Sequence, residues 1–329
     1  MNPPPELSTL IDPENERGKQ LYEAYQHRYF EFIDQLPLTL RRAAQEDRTF
    51  LGAPTKKKFT GFAGVNPIYT GIPWLFWELF CELDDARFLD LAAAGGYFAL
   101  ASILLDHLID QQVQQPTTTL LLARAFDHEG GRLLRKEFSS TAQFWDDFDR
   151  LFAEFLSALS LEQDIQLDPR KLAIENHLAM AQGKMCPMVI AVAALSSLTA
   201  QKDLLGRVEL SLKYTFAAGQ FHDDALDLEM DVSNEHATFL ISQLTPPAVL
   251  EAQRRPTWEE VLAENEAAWL DVTHLESALT WYGKAVDVLG GLRCASWRAY
   301  LAQYTATARQ HRKHFLSQHI VNKMKKISV

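Results

Sequence analysis

The chain has 329 residues, 47% of them hydrophobic, and its 43 acidic and 32 basic side chains give a net charge of −11. This acidity, with basic runs only at 56–58 and 323–326, argues against a nucleic-acid partner. Three widely separated cysteines predict a reducing compartment, without a disulfide framework or a zinc site. The polar N-terminus and the lack of a long uncharged apolar run predict a cytoplasmic protein without a transmembrane segment.

Helical periodicity dominates the chain after a segment, 1–15, that is rich in proline and charge and is expected to be flexible. Strand patterns are nearly absent, and the breaks between apolar segments contain Gly and Pro. The pattern predicts helices at 16–34, 37–46, 73–82, 86–112, 117–137, 142–161, 170–199, 203–232, 258–269, 272–290 and 294–325. We therefore expect residues 16–329 to form a single-domain, all-α bundle of about ten helices, with sites built from side chains that point into the core.

An acidic pair ends the apolar segment 97–110. Asp106 and Asp110 are four residues apart, so on a helix they share one face. The residues before them are apolar on most faces, which predicts a helix at the centre of the bundle. Carboxylates at the end of a buried helix are costly unless they are paired or bind a metal ion. The pair is therefore a candidate metal site.

A lysine interrupts the apolar segment 177–195, which also contains Gly183 and Pro187. A proline inside a helix kinks it and frees a backbone carbonyl. Lys184 lies beside this predicted kink, where a buried ammonium group needs an anion. A substrate diphosphate is one such anion, and a lysine that reaches solvent along its stem is the alternative.

The most informative segment is 219–231, in which Asp223, Asp227 and Asp231 have the spacing i, i+4, i+8. On a helix this spacing places three carboxylates on one face, where like charges repel one another. A hard divalent cation would offset that repulsion. Mg²⁺ is the natural candidate, because it prefers oxygen ligands and is usually shared with substrate phosphates.

Other polar residues near these segments are expected to play lesser roles. Asp224 is turned aside by one helical step and is predicted to support the neighbouring ligands. His107 and His222 have no second His or Cys in ligand register, so neither is expected to bind metal. The acidic clusters 82–85 and 146–149 do not follow long apolar runs and are interpreted as solvated faces.

Aromatic side chains are candidates for the wall of a hydrocarbon site. Trp77, Phe98 and Phe221 lie near the proposed ligands in the sequence. An aromatic face can stabilise a carbocation by cation–π attraction, although core packing is the alternative for each residue.

Together these segments resemble the class I isoprenoid synthases, a group of polyprenyl diphosphate synthases, squalene and phytoene synthases and terpene cyclases. Asp106-His-Leu-Ile-Asp110 resembles their first motif, with His107 in place of a second Asp. The segment from Asp223 to Asp231 has the spacing of the second motif of both prenyltransferases and cyclases. Lys184 stands where prenyltransferases carry a diphosphate-binding lysine on a kinked helix. The resemblance covers about residues 90–245.

This resemblance implies an all-α bundle around a central cavity that binds an allylic prenyl diphosphate, and it allows a homodimer. It also implies three Mg²⁺ ions bound together with the substrate diphosphate. The implied metal ligands and catalytic residues are Asp106, Asp110, Asp223, Asp227 and Asp231. The implied substrate contacts are Lys184, Phe221, Trp77 and Phe98.

The chain departs from chain-elongating synthases where those enzymes hold a second diphosphate. Their Gly-Gly-Lys-x-x-Arg-Pro segment has only Thr-Lys-Lys-Lys-Phe at 55–59 as a counterpart, and their Arg-Arg-Gly-x-Pro segment is replaced by an uncharged stretch at 111–116. We therefore expect a terpene synthase that ionises one allylic diphosphate and cyclises or quenches the cation. The alternatives are a polyprenyl diphosphate synthase that adds isopentenyl diphosphate, and a non-catalytic homologue or subunit.

Overall fold

Helices form all the regular structure of the residues that the computed structural model describes, which are 16–46, 61–167, 172–199, 202–252 and 254–327. These ranges contain sixteen α-helices and no β-strand, so the predicted all-α class is confirmed. The helices are α1 (Glu16–Gln35), α2 (Leu38–Glu46), α3 (Pro67–Thr70), α4 (Ile72–Leu75), α5 (Asp85–Ile109), α6 (Pro116–Glu137), α7 (Phe144–Leu167), α8 (Ile174–Lys184), α9 (Cys186–Leu198), α10 (Lys202–Leu226), α11 (Leu228–Ser233), α12 (Phe239–Leu244), α13 (Pro247–Glu251), α14 (Trp258–Ala268), α15 (Leu270–Asp287) and α16 (Ala295–Ile327).

Each predicted helical segment contains a helix, but several end at breaks that periodicity does not show. The predicted break near Pro187 is present, because α8 ends at Lys184 and α9 begins at Cys186. Three short helices, α3, α12 and α13, were not predicted. The segment 1–15 and the lysines at 56–58 lie outside the described residues.

The chain forms two compact units. The first comprises the described residues of Met1–Phe155 together with Met185–Arg207 and Gly291–Tyr300. The second comprises Leu156–Lys184, Val208–Gly290 and Leu301–Val329. The first acidic pair therefore belongs to one unit, and the second acidic motif belongs to the other. The single domain that the sequence predicts for 16–329 stays a prediction.

The first unit is built around α5, which is buried along most of its length and packs against α6 and α9. Glycines allow this close packing. A Cβ on Gly95 would lie 2.4 Å from the Cβ of Ala191 in α9, and a Cβ on Gly130 of α6 would lie 2.9 Å from the Phe98 ring. Asp84, in a cluster we interpreted as a solvated face, begins α5 by accepting hydrogen bonds from the backbone amides that follow it. The central position predicted for this helix is confirmed.

By length and composition alone, α5 is also long and apolar enough to cross a membrane. Within the described residues α5 alone meets that test, and α8 and α9 meet it together as a bent pair. In α5, however, 83% of the most apolar window is buried inside the structure. Such burial is typical of a core helix.

The second unit has a core beneath the end of α10. Buried side chains of α10, α11, α12, α14 and α15 meet there; they are Ala225, Leu228, Leu240, Ile241, Leu244, Val261 and Leu275. A capping box starts α14, because Thr257 and Glu260 each accept a hydrogen bond from the other's backbone amide. This core fixes the backbone that carries the second acidic motif.

Candidate functional site

The second acidic motif keeps its helical register across a helix break. Asp227 lies between α10 and α11 and has a non-helical backbone. Its amide nevertheless donates to the carbonyl of Asp223 at 2.8 Å, and the amide of Asp231 donates to the carbonyl of Asp227 at 2.8 Å. The three aspartates therefore follow one another at the predicted i, i+4, i+8 spacing.

Negative charge is concentrated on this motif. The protein packed around Asp223 removes part of its hydration, although the side chain is exposed, and this raises its pKa to about 7, with further increases from Asp227, Asp224 and Asp231. Burial, and then the charge of Asp227, raises the pKa of Asp231 to about 6. His236 lies 3.8 Å from the Asp231 carboxylate and opposes that shift. Loss of hydration first, and then repulsion between neighbouring carboxylates, therefore makes Asp223 and Asp231 less acidic than usual.

Asp224 points into the protein, in agreement with the supporting role that the sequence predicts for it. Its side chain is 1% exposed, and its Oδ1 accepts a hydrogen bond from Gln220 Nε2 at 2.8 Å. Burial raises its pKa to about 7, although the hydrogen bond from Gln220 and the nearby amides of Leu240 and Phe239 favour the charged form. Asp224 therefore lies between the end of α10 and the start of α12.

Two buried histidines that sequence reasoning missed pack against Phe221, and one of them, His177, also lies beside Asp224. His177 Nδ1 is 4.0 Å from Asp224 Oδ2, and the His177 ring packs against Phe221 with centroids 4.6 Å apart. His274 donates from Nδ1 to the carbonyl of Leu270 at 3.1 Å. Burial, and then the charge of His274, lowers the pKa of His177 to about 3, and burial lowers that of His274 to about 4. Both rings are therefore neutral near pH 7.

The cluster of His177, Asp224 and His274 leaves polar atoms unsatisfied in its interior. Within the described residues, Nε2 of each histidine and Oδ2 of Asp224 have no hydrogen-bond partner. The three residues come from α8, α10 and α15, and no sequence spacing connects them. Phe221, a predicted substrate contact, is 3% exposed and packs against both histidine rings.

Lys184 already has an anionic partner. Its Nζ donates to Glu162 Oε1 at 2.6 Å, and the two side chains are 23% and 15% exposed. The anion that we expected beside this lysine is therefore supplied by the protein. A diphosphate group that met Lys184 would share it with Glu162.

The first acidic pair lies at the end of α5, in the other unit. Asp106 is in the last turn, and Asp110 ends the helix, with its amide donating to the Asp106 carbonyl at 3.0 Å. Both side chains are half-buried. Gln111 then adopts a left-handed backbone with φ of 58°, so the helix ends before the predicted residue 112. The i, i+4 register of the pair is retained.

Two predicted substrate contacts, Trp77 and Phe98, are packed in the first unit. Trp77 stacks on Trp74 with centroids 5.7 Å apart and meets the edge of Phe88. Phe98 meets Phe148 edge-on at 5.5 Å. Both predicted contacts are buried, so their role at a cavity stays a prediction.

A pocket of about 540 Å³, counting its open mouth, lies in the second unit after the acidic motif. Its lining is mainly apolar and includes Val232, His236, Thr238, Ile241, Leu250, Arg254 and Arg255. Arg254 donates to both carboxylate oxygens of Glu260, whereas Arg255 Nε lies 3.8 Å from Glu235. Sequence reasoning missed this site, although an adjacent arginine pair soon after the acidic motif was a visible signal.

The aspartates suit Mg²⁺ in their chemistry but do not form a complete metal site by themselves. Among the described residues, no three His, Cys, Asp or Glu side chains are grouped as metal ligands. Mg²⁺ commonly uses one or two carboxylates, keeps several waters and takes substrate phosphate oxygens as further ligands. The oxygen donors and raised pKa values of Asp223 and Asp231 fit a cation that binds together with a phosphate group.

Solved structures resemble this chain over most of its length. A geranylgeranyl pyrophosphate synthetase from the archaeon Geoglobus acetivorans is 18% identical, with a TM-score of 0.65 over 92% of this chain and 98% of that one. A polyprenyl synthetase from Streptomyces coelicolor is 15% identical, with a TM-score of 0.64 and the same coverage. A geranylgeranyl pyrophosphate synthase from Corynebacterium glutamicum is 13% identical, with a TM-score of 0.60 over 94% of this chain and 98% of that one.

These similarities show the fold. The chain has the all-α fold of the class I isoprenoid synthases, as the motifs predicted. No family model matches the sequence, and no curated protein sequence matches it either.

Proposed function

We propose that this chain is a Mg²⁺-dependent enzyme that acts on an allylic prenyl diphosphate, and that it transfers the prenyl group to isopentenyl diphosphate. One observation carries the proposal: Asp223, Asp227 and Asp231 are held in register, and loss of hydration and mutual repulsion raise the pKa values of Asp223 and Asp231, in a chain with this fold. By their descriptions, two of the similar structures named above are geranylgeranyl pyrophosphate synthases and the third is a polyprenyl synthetase, which favours transfer over the cyclisation that we expected from the sequence.

The proposed chemistry begins with the departure of diphosphate from the allylic carbon. Mg²⁺ would supply the positive charge that neutralises the leaving group. Asp223, Asp227 and Asp231 would hold Mg²⁺ in the second unit, and Asp106 and Asp110 are proposed as Mg²⁺ ligands in the first unit. Asp224 would keep the second motif in place through its hydrogen bond with Gln220.

Lys184 would add a fixed positive charge at the leaving diphosphate. Its pairing with Glu162 holds the ammonium group in one position before substrate binds, which lowers the reorganisation that binding requires. The same pairing reduces the net positive charge that Lys184 presents to the diphosphate. The metal ions would therefore carry most of the neutralisation.

A terpene cyclase is the second candidate, and a specific observation supports it. The stretch Gln111–Gln115, which follows the first acidic pair, contains no cation. A chain-elongating enzyme must neutralise two diphosphates, whereas a cyclase neutralises only one. The cytoplasmic location and the homodimer stay predictions for either enzyme.

The deciding experiment supplies the purified chain with Mg²⁺ and allylic diphosphates of ten, fifteen or twenty carbons, each with and without isopentenyl diphosphate. Longer prenyl diphosphates that form only when both substrates are present would support transfer. Release of diphosphate with a hexane-extractable product from the allylic substrate alone would instead assign a cyclase. No turnover of any substrate by a folded chain would favour the non-catalytic alternative.

The matched controls for this experiment are two aspartate variants. Asp227→Ala should abolish turnover because it removes a proposed metal ligand. Asp146→Ala removes an exposed carboxylate of an acidic cluster outside the proposed site and should leave turnover unchanged. Loss of activity in Asp146→Ala, with activity kept in Asp227→Ala, would show that the wrong cluster was chosen.

A further inference from the structure

The last described helix, α16, has a charge opposite to that of the whole chain. Its 33 residues contain no Asp or Glu, whereas seven are Lys or Arg. The complete chain has a net charge of −11. A positive helix on an acidic protein marks a surface that attracts an anionic partner.

Contacts with the second unit fix the rotation of α16. His319 is 8% exposed, and its Nε2 lies 2.9 Å from the Asp271 carboxylate of α15. Phe315, one turn earlier, packs against the core beneath the end of α10. Arg312 donates to Glu276, also in α15. These contacts determine which face of α16 points outward.

Three large apolar side chains lie on that outward face. Ile320, Val321 and Met324 are 45%, 48% and 63% exposed. At about 100° per residue they fall within roughly 100° of arc, so they form one patch. Lys313, two turns earlier on the same face, and Lys325, beside the patch, are both exposed.

We propose that this outward face, defined by Lys313, Ile320, Val321, Met324 and Lys325, docks on an anionic lipid surface. Apolar side chains that project from a basic helix enter the boundary between lipid headgroups and acyl chains. Lysines beside them place their ammonium groups among the lipid phosphates while their stems cover apolar surface. The inference stands whether or not the chain acts on prenyl diphosphates.

The same features disfavour two other occupants. Two copies that paired symmetrically through this face would bring two helices of like charge together. A nucleic acid would use the lysines, but it would leave the three apolar side chains without a role, since the patch contains no aromatic ring on which a base could stack.

The test is co-sedimentation of the full-length chain with vesicles of phosphatidylcholine alone, or of phosphatidylcholine and phosphatidylserine in equal amounts. We expect strong binding only to the anionic vesicles, with weakening as salt is raised. Lys313→Gln combined with Lys325→Gln should weaken binding ~25-fold, since each lysine near an anionic surface is worth about fivefold in affinity. Val321→Ser combined with Met324→Ser should also weaken vesicle binding. The difference in binding between this double variant and the unmodified chain should persist at high salt.

Lys284→Gln is the matched control, because Lys284 is an exposed lysine of the same unit and lies over the ring of Trp281 rather than on this face. Its binding should equal that of the unmodified chain. Helical circular dichroism and the thermal midpoint should show that each variant folds. The proposal is overturned if the anionic vesicles fail to sediment the chain, or if the lysine pair and Lys284→Gln behave alike.

Two further results would also overturn it. A dimer that Val321→Ser with Met324→Ser abolishes would assign the face to a second copy. Retention of a short RNA that Lys313→Gln with Lys325→Gln abolishes, without vesicle binding, would assign it to nucleic acid.

Discussion

Lys184 donates a hydrogen bond to Glu162 at 2.6 Å, and this pair joins α8 to α7 within the second unit. Both side chains are mostly buried, at 23% and 15% exposed. The lysine therefore contributes to the stability of the fold, and it would also contribute to the binding of a diphosphate beside it. The two contributions can be separated by experiment.

Lys184→Met should destabilise the protein, because Glu162 would lose this ion pair while its carboxylate stays largely buried. The expected loss is about 1–3 kcal/mol in the free energy of unfolding. Lys184→Met combined with Glu162→Gln should recover most of that loss, since neither charge then remains. Urea denaturation of the two single variants and the double variant measures the coupling.

The activity of the same variants tests the role of Lys184 at the diphosphate. If Lys184 meets the leaving group, Lys184→Met should slow turnover by roughly 10²–10³-fold, the scale for one preorganised electrostatic group. Lys213→Met is the matched control, because Lys213 pairs with Glu209 at 2.8 Å at similar burial on α10. Equal turnover in Lys184→Met and Lys213→Met would remove Lys184 from the site.

The sequence predicted the helices well, because apolar periodicity is a local property. The central position of α5 followed from its apolar residues on most faces, and the break beside Lys184 followed from Pro187. The long-range partners could not be predicted in this way. Glu162 lies 22 residues before Lys184. No feature of the sequence distinguishes its carboxylate from the others on the polar face of a helix.

The candidate site shows the same limit. The i, i+4, i+8 spacing predicted that Asp223, Asp227 and Asp231 share a helical register. The structure retains this register across a helix break. His177 reaches Asp224, and His177 and His274 both reach Phe221, only because α8, α10 and α15 meet in the second unit. Nothing in the sequence connects residues on three separate helices, so tertiary packing alone reveals the cluster.

Asp224 and Asp227 should respond in opposite ways to substitution. Asp224→Ala removes the buried acceptor of Gln220, so it should cost about 1–3 kcal/mol of unfolding free energy. Asp224→Asn keeps one acceptor oxygen and should cost less. Asp227→Asn removes one of several repelling charges, so its thermal midpoint should be unchanged or higher. Calorimetry of the three variants checks this order, and a destabilised Asp227→Asn would contradict it.

Each buried neutral histidine contributes a loss of stability in mild acid, opposite in sign to the contribution of the aspartates whose pKa values are raised. The pKa of His274 is about 4 when folded, against an unperturbed value of about 6.5, because burial disfavours the charged ring. Between these values His274 binds a proton in the unfolded chain but not in the folded chain, so its contribution to stability falls as pH falls from about 6.5 towards 4. One such group gives a slope of about 1.4 kcal/mol per pH unit at most.

His274→Gln should remove that contribution. As pH falls from about 6 to about 4.5, the unfolding free energy of the variant should therefore rise relative to that of the unmodified chain. Chemical denaturation at several pH values gives both slopes. His314→Gln, which replaces an exposed histidine of the same unit, should keep the original slope. Identical slopes in the unmodified chain and His274→Gln would show that the ring is not held neutral.

Metal binding should depend on a phosphate ligand, because the described residues do not provide a complete metal site. Mg²⁺ alone should therefore change the thermal midpoint little, whereas Mg²⁺ with inorganic diphosphate should raise it. A ligand at 100 times its dissociation constant stabilises by about 2.7 kcal/mol. EDTA should reverse the effect, and Asp223→Asn should remove it, whereas Asp146→Asn should leave it intact. An equal stabilisation by diphosphate in EDTA would show that the carboxylates of Asp223, Asp227 and Asp231 do not act through a metal ion. Loss of the stabilisation in Asp146→Asn would instead place the metal at the acidic cluster 146–149.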